Sequence, residues 1–141
     1  MASTGQAKWT GDLKGGEGTI DTGSGAVSGS YSAASRFSDG KGTNPEELIG
    51  ASHAACFSMA LTLILGEAGH EPESVETTAK VHLRQKDGGY EINKIELETE
   101  GTVPGIDEDD FVKHAETAKR ECPVSKALAG PEITLEARLA S

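Results

Sequence analysis

The stretch Asn44-Pro45-Glu46-Glu47-Leu48-Ile49-Gly50-Ala51-Ser52-His53-Ala54-Ala55-Cys56-Phe57-Ser58-Met59-Ala60-Leu61-Thr62-Leu63-Ile64-Leu65-Gly66-Glu67 decides how the chain folds. Asn44 suits an N-cap. Pro45 then falls at the first helical position, where its missing N–H costs nothing, and Glu47 at the third, as in a capping box. Gly66 and Gly69 mark the other end. The spacing predicts one helix from Pro45 to about Glu67. With His53 neutral, no residue from Leu48 to Leu65 carries charge. That length reaches the range of a membrane span. Ser52, His53, Ser58 and Thr62 argue against a span, and the expectation is a helix buried on nearly all sides. A small domain has too little material to enclose such a helix alone, so an obligate homodimer is expected.

Downstream, Val75, Thr77, Ala79, Val81 and Leu83 alternate with Glu76, Thr78, Lys80, His82 and Arg84, the period of a half-buried strand. Asp87-Gly88-Gly89 reads as a hairpin turn into Tyr90–Thr99. The apolar parity flips between Ile92 and Ile95, which predicts a β-bulge near Asn93-Lys94. Glu91, Glu96, Glu98 and Glu100 form a solvated outer face. After the turn Val103-Pro104-Gly105, Asp107 caps a second helix with Glu108, Asp109 and Asp110 at its positive dipole end. Phe111, Ala115, Ala118 and Cys122 share one face of it. Pro123 ends that helix and opens a short one to Ala129, with Cys122 as N-cap. Ile133, Leu135, Ala137 and Leu139 face inward from a last strand, Glu132–Leu139.

Upstream, Ala7–Leu13 and Glu17–Thr22 read as strands about a Lys14-Gly15-Gly16 turn, and Tyr31–Phe37 as a third strand. Gly-x-Gly stretches at Gly16–Gly18 and Gly23–Gly25 lack a strand-to-helix context and read as hairpin turns. The predicted order is βββ–α–ββ–αα–β, an α+β fold with mostly antiparallel pairing.

The length, 141 residues, suits a single domain over 1–141. There are 23 acidic and 13 basic residues, a formal charge of −10. Such a surface repels phosphate backbones and anionic lipid, so neither nucleic acid nor membrane is an expected partner. The N-terminus has no basic region leading into an apolar run, so no signal peptide is read and the expected compartment is the reducing cytoplasm.

Two cysteines, Cys56 and Cys122, are too few for a disulfide scaffold. Cys56 lies in the apolar helix, where a thiol is ordinarily inert packing. Its helix neighbours Ser52, His53, Met59 and Ala60 include no cation, so a reactive Cys56 needs positive charge brought from elsewhere. Cys122 as an N-cap, with Lys119, Arg120 and Lys126 nearby in sequence, has features that favour thiolate, against the reading of a buried, unreactive cap. His53 and Cys56, spaced i and i+3, can also reach one metal ion with Cys122 as a third ligand. Without a second Cys-x-x-Cys or His-x-x-x-His, no tightly bound metal is expected. No G-x-S-x-G elbow supports a serine triad.

Three segments are specific in combination: Arg36-Phe37; Lys41-Gly42-Thr43-Asn44-Pro45-Glu46-Glu47-Leu48 leading to Ala51-Ser52-His53-Ala54-Ala55-Cys56-Phe57-Ser58-Met59; and Glu121-Cys122-Pro123-Val124-Ser125-Lys126, preceded by Val103-Pro104-Gly105-Ile106. They resemble the OsmC branch of the OsmC/Ohr superfamily, from Ala7 to Leu139. His53 and Val124, where the Ohr group usually has Tyr and an aromatic, favour the OsmC branch.

The resemblance implies an OsmC-like α+β fold: antiparallel sheets packed on two long central helices in an intertwined homodimer, with active sites at the subunit interface. It implies a thiol peroxidase that reduces organic hydroperoxides to alcohols. Carried over, Cys56 is the peroxidatic cysteine, Cys122 the resolving one, Arg36 the arginine that activates the thiolate, and Glu46 the carboxylate that holds it. No cofactor is implied beyond an external dithiol reductant, for which the family suggests a lipoyl-type dithiol. A guanidinium beside Cys56 would keep its thiolate ionised at pH 7. On a straight helix Glu46 lies about 15 Å along the axis from Cys56, too far to touch the sulfur, so the role of holding the arginine rests on the resemblance. The rival reading is a non-enzymatic dimeric stress protein that binds a hydrophobic ligand between its central helices.

Overall fold

The computed structural model describes residues 1–140. Residues 1–48 make one compact unit and the chain from Ile49 onward a second.

In the first unit, β1 (Gly5–Thr10), β2 (Glu17–Thr22) and β3 (Ser28–Tyr31) form an antiparallel sheet in the order β1-β2-β3. The first strand stops before Leu13. Gly11 turns to φ +94°, and the Trp9 indole N–H donates to the carbonyls of Gly11 and Asp12 at 3.0 and 3.2 Å. The strand expected over Tyr31–Phe37 is absent: β3 ends at Tyr31, and Ala33–Phe37 is a helix, α1. The reason is local. Ser32 Oγ accepts the Ser35 N–H at 3.1 Å, and Ser35 Oγ accepts the Ser32 N–H at 2.8 Å. This is a complete capping box around two alanines, the best helix formers. The order is therefore βββ–αα–ββ–αα–β.

Ser35 ties this small helix to the start of the long one, α2 (Pro45–Glu67). Its hydroxyl donates to the Thr43 carbonyl at 2.7 Å, and its own carbonyl accepts from Asn44 Nδ2 at 3.1 Å. Asn44 caps α2 as expected, accepting the Glu47 N–H at 2.7 Å. The Glu47 carboxylate accepts from the Thr43 hydroxyl at 2.7 Å instead of from the Asn44 N–H. At the far end Gly69, at φ +89°, closes a Schellman motif: the His70 N–H donates to the Leu65 carbonyl at 2.8 Å and the Gly69 N–H to that of Gly66 at 3.0 Å.

The second unit holds most of α2 with β4 (Ser74–Lys86), β5 (Gly89–Thr102), α3 (Glu108–Glu121), α4 (Pro123–Ala127) and β6 (Glu132–Leu139). The β4–β5 hairpin closes through Asp87 and Gly88, at φ 49° and 80°, the pair of left-handed residues that suits a twisted hairpin. His82 pairs with Lys94 and Leu83 with Ile92, so Asn93 is the extra residue of the bulge. The last strand joins β5 in parallel, giving the order β4-β5-β6. Parallel neighbours need a crossover, which α3 and α4 supply. The short helix stops at Ala127, two residues before its expected end.

The core lies between the inner face of this sheet and the helices: Phe57, Leu61 and Leu65 of α2, Ile95 and Leu97 of β5, Val103, Phe111, Ala115 and Ala118 of α3, and Cys122. The long helix buries one face and not nearly all sides. Gly50, His53, Phe57, Leu61 and Leu65 face in, while Ala51, Ala55, Met59 and Leu63 are exposed. It remains long and apolar enough to cross a membrane by length and composition. Gly50 sets how closely it sits on β4, since a Cβ there would stand 3.1 Å from the Ala79 carbonyl oxygen. On the outer face of the sheet the glutamates are paired: Glu91 with Arg84, Glu96 with His82, Glu98 with Lys80 and Glu100 with Arg138. Exposed pairs of this kind contribute little stability.

Candidate active site

The four residues singled out by the sequence fall into two pairs. In the first unit α1 presents Arg36 and the opening turn of α2 presents Glu46. Arg36 Nε donates to Glu46 Oε1 at 3.0 Å and Nη2 to Oε2 at 2.8 Å. This is the two-point fork that a planar guanidinium makes with a carboxylate. Glu46 is 7% exposed, whereas the Arg36 side chain keeps 36% of its surface open. The hydrogen bond and charge of Glu46 raise the Arg36 pKa against a smaller opposing effect of burial. The arginine is a fixed, partly open cation. The sequence error over α1 matters here, because a strand would not place Arg36 this way.

In the second unit α2 presents Cys56 and the junction of α3 and α4 presents Cys122. Both are free thiols, Cys56 half-buried and Cys122 fully buried. Cys122 lies close enough to Cys56 to push its pKa up. Cys122 occupies the N-cap position of α4 as expected, but its side chain caps nothing. Pro123 has no N–H, so the first free donor of α4 belongs to Val124, and that N–H favours the Cys56 thiolate.

The cations near Cys122 in sequence are engaged elsewhere. Lys119 pairs with Glu116 at 3.3 Å, Lys126 with Glu121 at 3.9 Å, and Arg120 donates to the Thr117 hydroxyl at 3.3 Å. Burial, first, pushes the Cys56 thiol up from its ordinary value; the hydrogen bond and charge of Cys122 add to this, and the Val124 N–H opposes it. A thiol in these surroundings needs a cation to ionise at neutral pH.

A third contact links the same two helices. His53 Nε2 and Ser125 Oγ are 2.7 Å apart and both residues are buried. Burial lowers the His53 pKa, so the ring is neutral at pH 7. Sequence reasoning weighed His53 as a metal ligand and as a mark of the OsmC branch, and gave Ser125 no role beyond its place in the Glu121–Lys126 segment. The signal was present in the spacing: His53 and Cys56 are three apart on α2, as Cys122 and Ser125 are across the start of α4. Among the described residues no group of three His, Cys, Asp or Glu is arranged to hold a metal ion.

Residues 38–136 match the family model described as OsmC-like protein. The chain is 54% identical over 138 residues to "Peroxiredoxin OsmC" of Escherichia coli (strain K12), covering 97% of this chain and 96% of that protein. It is 36% identical over 93 residues to an "Organic hydroperoxide resistance protein-like" chain of Staphylococcus aureus (strain USA300), 65% of this chain and 66% of that one. Among solved structures, the organic hydroperoxide resistance protein OhrB of Bacillus subtilis superposes with a TM-score of 0.73 at 28% identity, over 96% of this chain and 97% of that chain.

Proposed function

The chain belongs to the OsmC-like protein family, and on that premise we propose that it is a cysteine-based peroxidase that reduces organic hydroperoxides to alcohols. The observation that carries this reading is the nearness of the chain's two free thiols, Cys56 on α2 and Cys122 at the start of α4, close enough that Cys122 pushes the Cys56 thiol up. A protein that only held a hydrophobic ligand between helices would give no reason for these thiols to meet. The names borne by the relatives, a peroxiredoxin and organic hydroperoxide resistance proteins, support the same class of activity.

The Cys56 thiolate attacks the distal oxygen of ROOH. The O–O bond breaks, ROH leaves with a proton, and Cys56 becomes a sulfenic acid. The Cys122 thiol then attacks the Cys56 sulfur; the S–O bond breaks, water leaves and a disulfide forms. An external dithiol, of lipoyl type by the family resemblance, restores both thiols by exchange and is itself oxidised to a disulfide. Arg36 is assigned the role of the cation that ionises Cys56 and steadies the departing alkoxide, and Glu46 that of holding its guanidinium. No resident cofactor takes part. A protein reset by an external dithiol belongs in a reducing compartment, the cytoplasm.

The working unit is proposed to be a homodimer, because Ala51, Ala55, Met59 and Leu63 leave an apolar stripe of α2 uncovered in the single chain. The two cysteines are expected to be inequivalent. Cys56→Ser should lose peroxide turnover with dithiol altogether, whereas Cys122→Ser should still consume about one equivalent of peroxide per chain, after which its Cys56 sulfenic acid, with no partner thiol, climbs to the sulfinic acid. Intact-mass spectrometry after a single turnover checks this. A Cys56→Ser protein that still reacts, beside an inert Cys122→Ser, would reverse the assignment.

A further inference from the structure

The thiol pair and the His53–Ser125 pair are two rungs between the same two helices. On α2 the rungs start from Cys56 and His53; at α4 they end on Cys122 and Ser125. Between the rung ends lies Val124, whose backbone N–H favours the Cys56 thiolate. The helix that carries all three has only five residues, Pro123–Ala127. A helix that short has no stability of its own and lies where its contacts hold it. Its inward contacts include one polar bond between buried side chains, His53 to Ser125 at 2.7 Å, and that bond is shielded from water. The other ring nitrogen of His53, Nδ1, is buried with no hydrogen-bond partner. The imidazole therefore bears the cost of an unmet polar atom in return for one bond, to Ser125. C-terminal to His53 on this face of α2 the buried side chains, Phe57, Leu61 and Leu65, are apolar. Packing alone would be served by an apolar residue at position 53.

We propose that His53 and Ser125 are positioning residues that hold the first turn of α4, and with it Cys122, against Cys56, so that the sulfenic acid is resolved before a second peroxide reaches it. This rests on the peroxidase reading above. Two reactions compete for the Cys56 sulfenic acid. In one, Cys122 displaces its hydroxyl, giving the disulfide and water. In the other, a second ROOH transfers oxygen to the same sulfur, giving the sulfinic acid and ROH, from which dithiol provides no return. The first is an intramolecular step whose rate depends on how often the two sulfurs are held together. The second depends only on peroxide concentration. Loosening α4 slows the first and leaves the second unchanged.

The test is the ratio of disulfide to sulfinic acid, read by intact-mass spectrometry after exposure of the whole protein to graded tert-butyl hydroperoxide. Both products descend from one sulfenic acid, so in the folded protein the ratio is insensitive to the speed of the first oxidation. Ser125→Ala should reach half-conversion to sulfinic acid at roughly fivefold less peroxide than the wild type, the effect of losing one buried hydrogen bond. His53→Leu should act in the same direction. His53→Gln, whose amide nitrogen can reach the place of Nε2, should restore the wild-type ratio, which a purely space-filling role for the ring would not explain. If His53→Leu does not fold, Ser125→Ala carries the test alone. A wild-type ratio in Ser125→Ala, with the wild type itself forming the disulfide, overturns the positioning role and leaves the peroxidase reading standing. A wild type that never forms a Cys56–Cys122 disulfide overturns both.

Discussion

Arg36 and Glu46 are joined by two parallel hydrogen bonds, and only a planar guanidinium can make both while leaving a further edge free. A lysine keeps the charge but grips the carboxylate at one point. The Cys56 thiol is held up by burial and by Cys122, with the Val124 N–H as its counterweight, so the cation assigned to it cannot be a loosely placed one. On the proposed mechanism, Arg36→Lys and Arg36→Ala should both raise the Cys56 pKa further and slow peroxide attack by at least about tenfold, equivalent to roughly 1.4 kcal/mol. The rate of iodoacetamide alkylation against pH reads the pKa directly. An unchanged pKa in Arg36→Ala would remove Arg36 from the activation step. Arg36, Cys56 and Cys122 are legible in the sequence as motif residues, but their grouping comes from the resemblance. Ser125 stands in a motif too, but a serine inside a helix has no legible role until its distant partner is known.

At the scale of elements, the buried face of α2 makes a pH dependence. His53 is neutral in the fold because burial lowers its pKa below the ordinary 6.5. The unfolded chain takes up a proton at that ordinary value, the folded chain only at lower pH. The stability that rests on a neutral His53 is therefore complete above pH 6.5 and is lost as the pH falls below it. The loss has a slope of at most about 1.4 kcal/mol per pH unit for one proton and ends once the pH passes below the folded pKa. Urea midpoints of wild type and His53→Gln between pH 7.5 and roughly pH 5 should diverge in this direction, the wild type losing more. Parallel curves would show that His53 titrates alike in both states. The same scale explains what was read correctly: the cap of α2, the hairpin turn at Asp87-Gly88 and the bulge at Asn93 are governed by residues within a few positions of one another. The difference at Tyr31–Phe37 is also local, since the Ser32–Ser35 capping box that makes Ala33–Phe37 a helix lies within four residues.

For the whole molecule, the exposed stripe of α2 is the unresolved matter of the single chain. Met59 and Leu63 are 74% and 64% exposed, and Ala51 and Ala55 continue the row. Apolar surface of this kind on a long helix draws a partner surface. Analytical ultracentrifugation at low micromolar concentration should find twice the 14.6 kDa chain mass, and Leu63→Glu should shift the protein to monomer or aggregate. A well-folded monomer of the wild type would show that the stripe is covered by nothing.

From its residues alone the chain determined where its helix caps fall, where its hairpin turns, which strand positions face inward and where the bulge interrupts them. Those features depend on side-chain chemistry acting over one or two turns of helix or one strand period, and that range is written in order along the sequence. Only the tertiary structure decided that α2 buries a single face in the single chain, that β6 lies parallel to β5, that Cys122 lies beside Cys56, and that His53 meets Ser125 across 72 residues. These contacts are set by how the α3–α4 crossover packs back onto α2, which is a balance of burial over the whole core. No local pattern encodes that balance, because each residue in it is equally at home in many other packings until the rest of the core has chosen one.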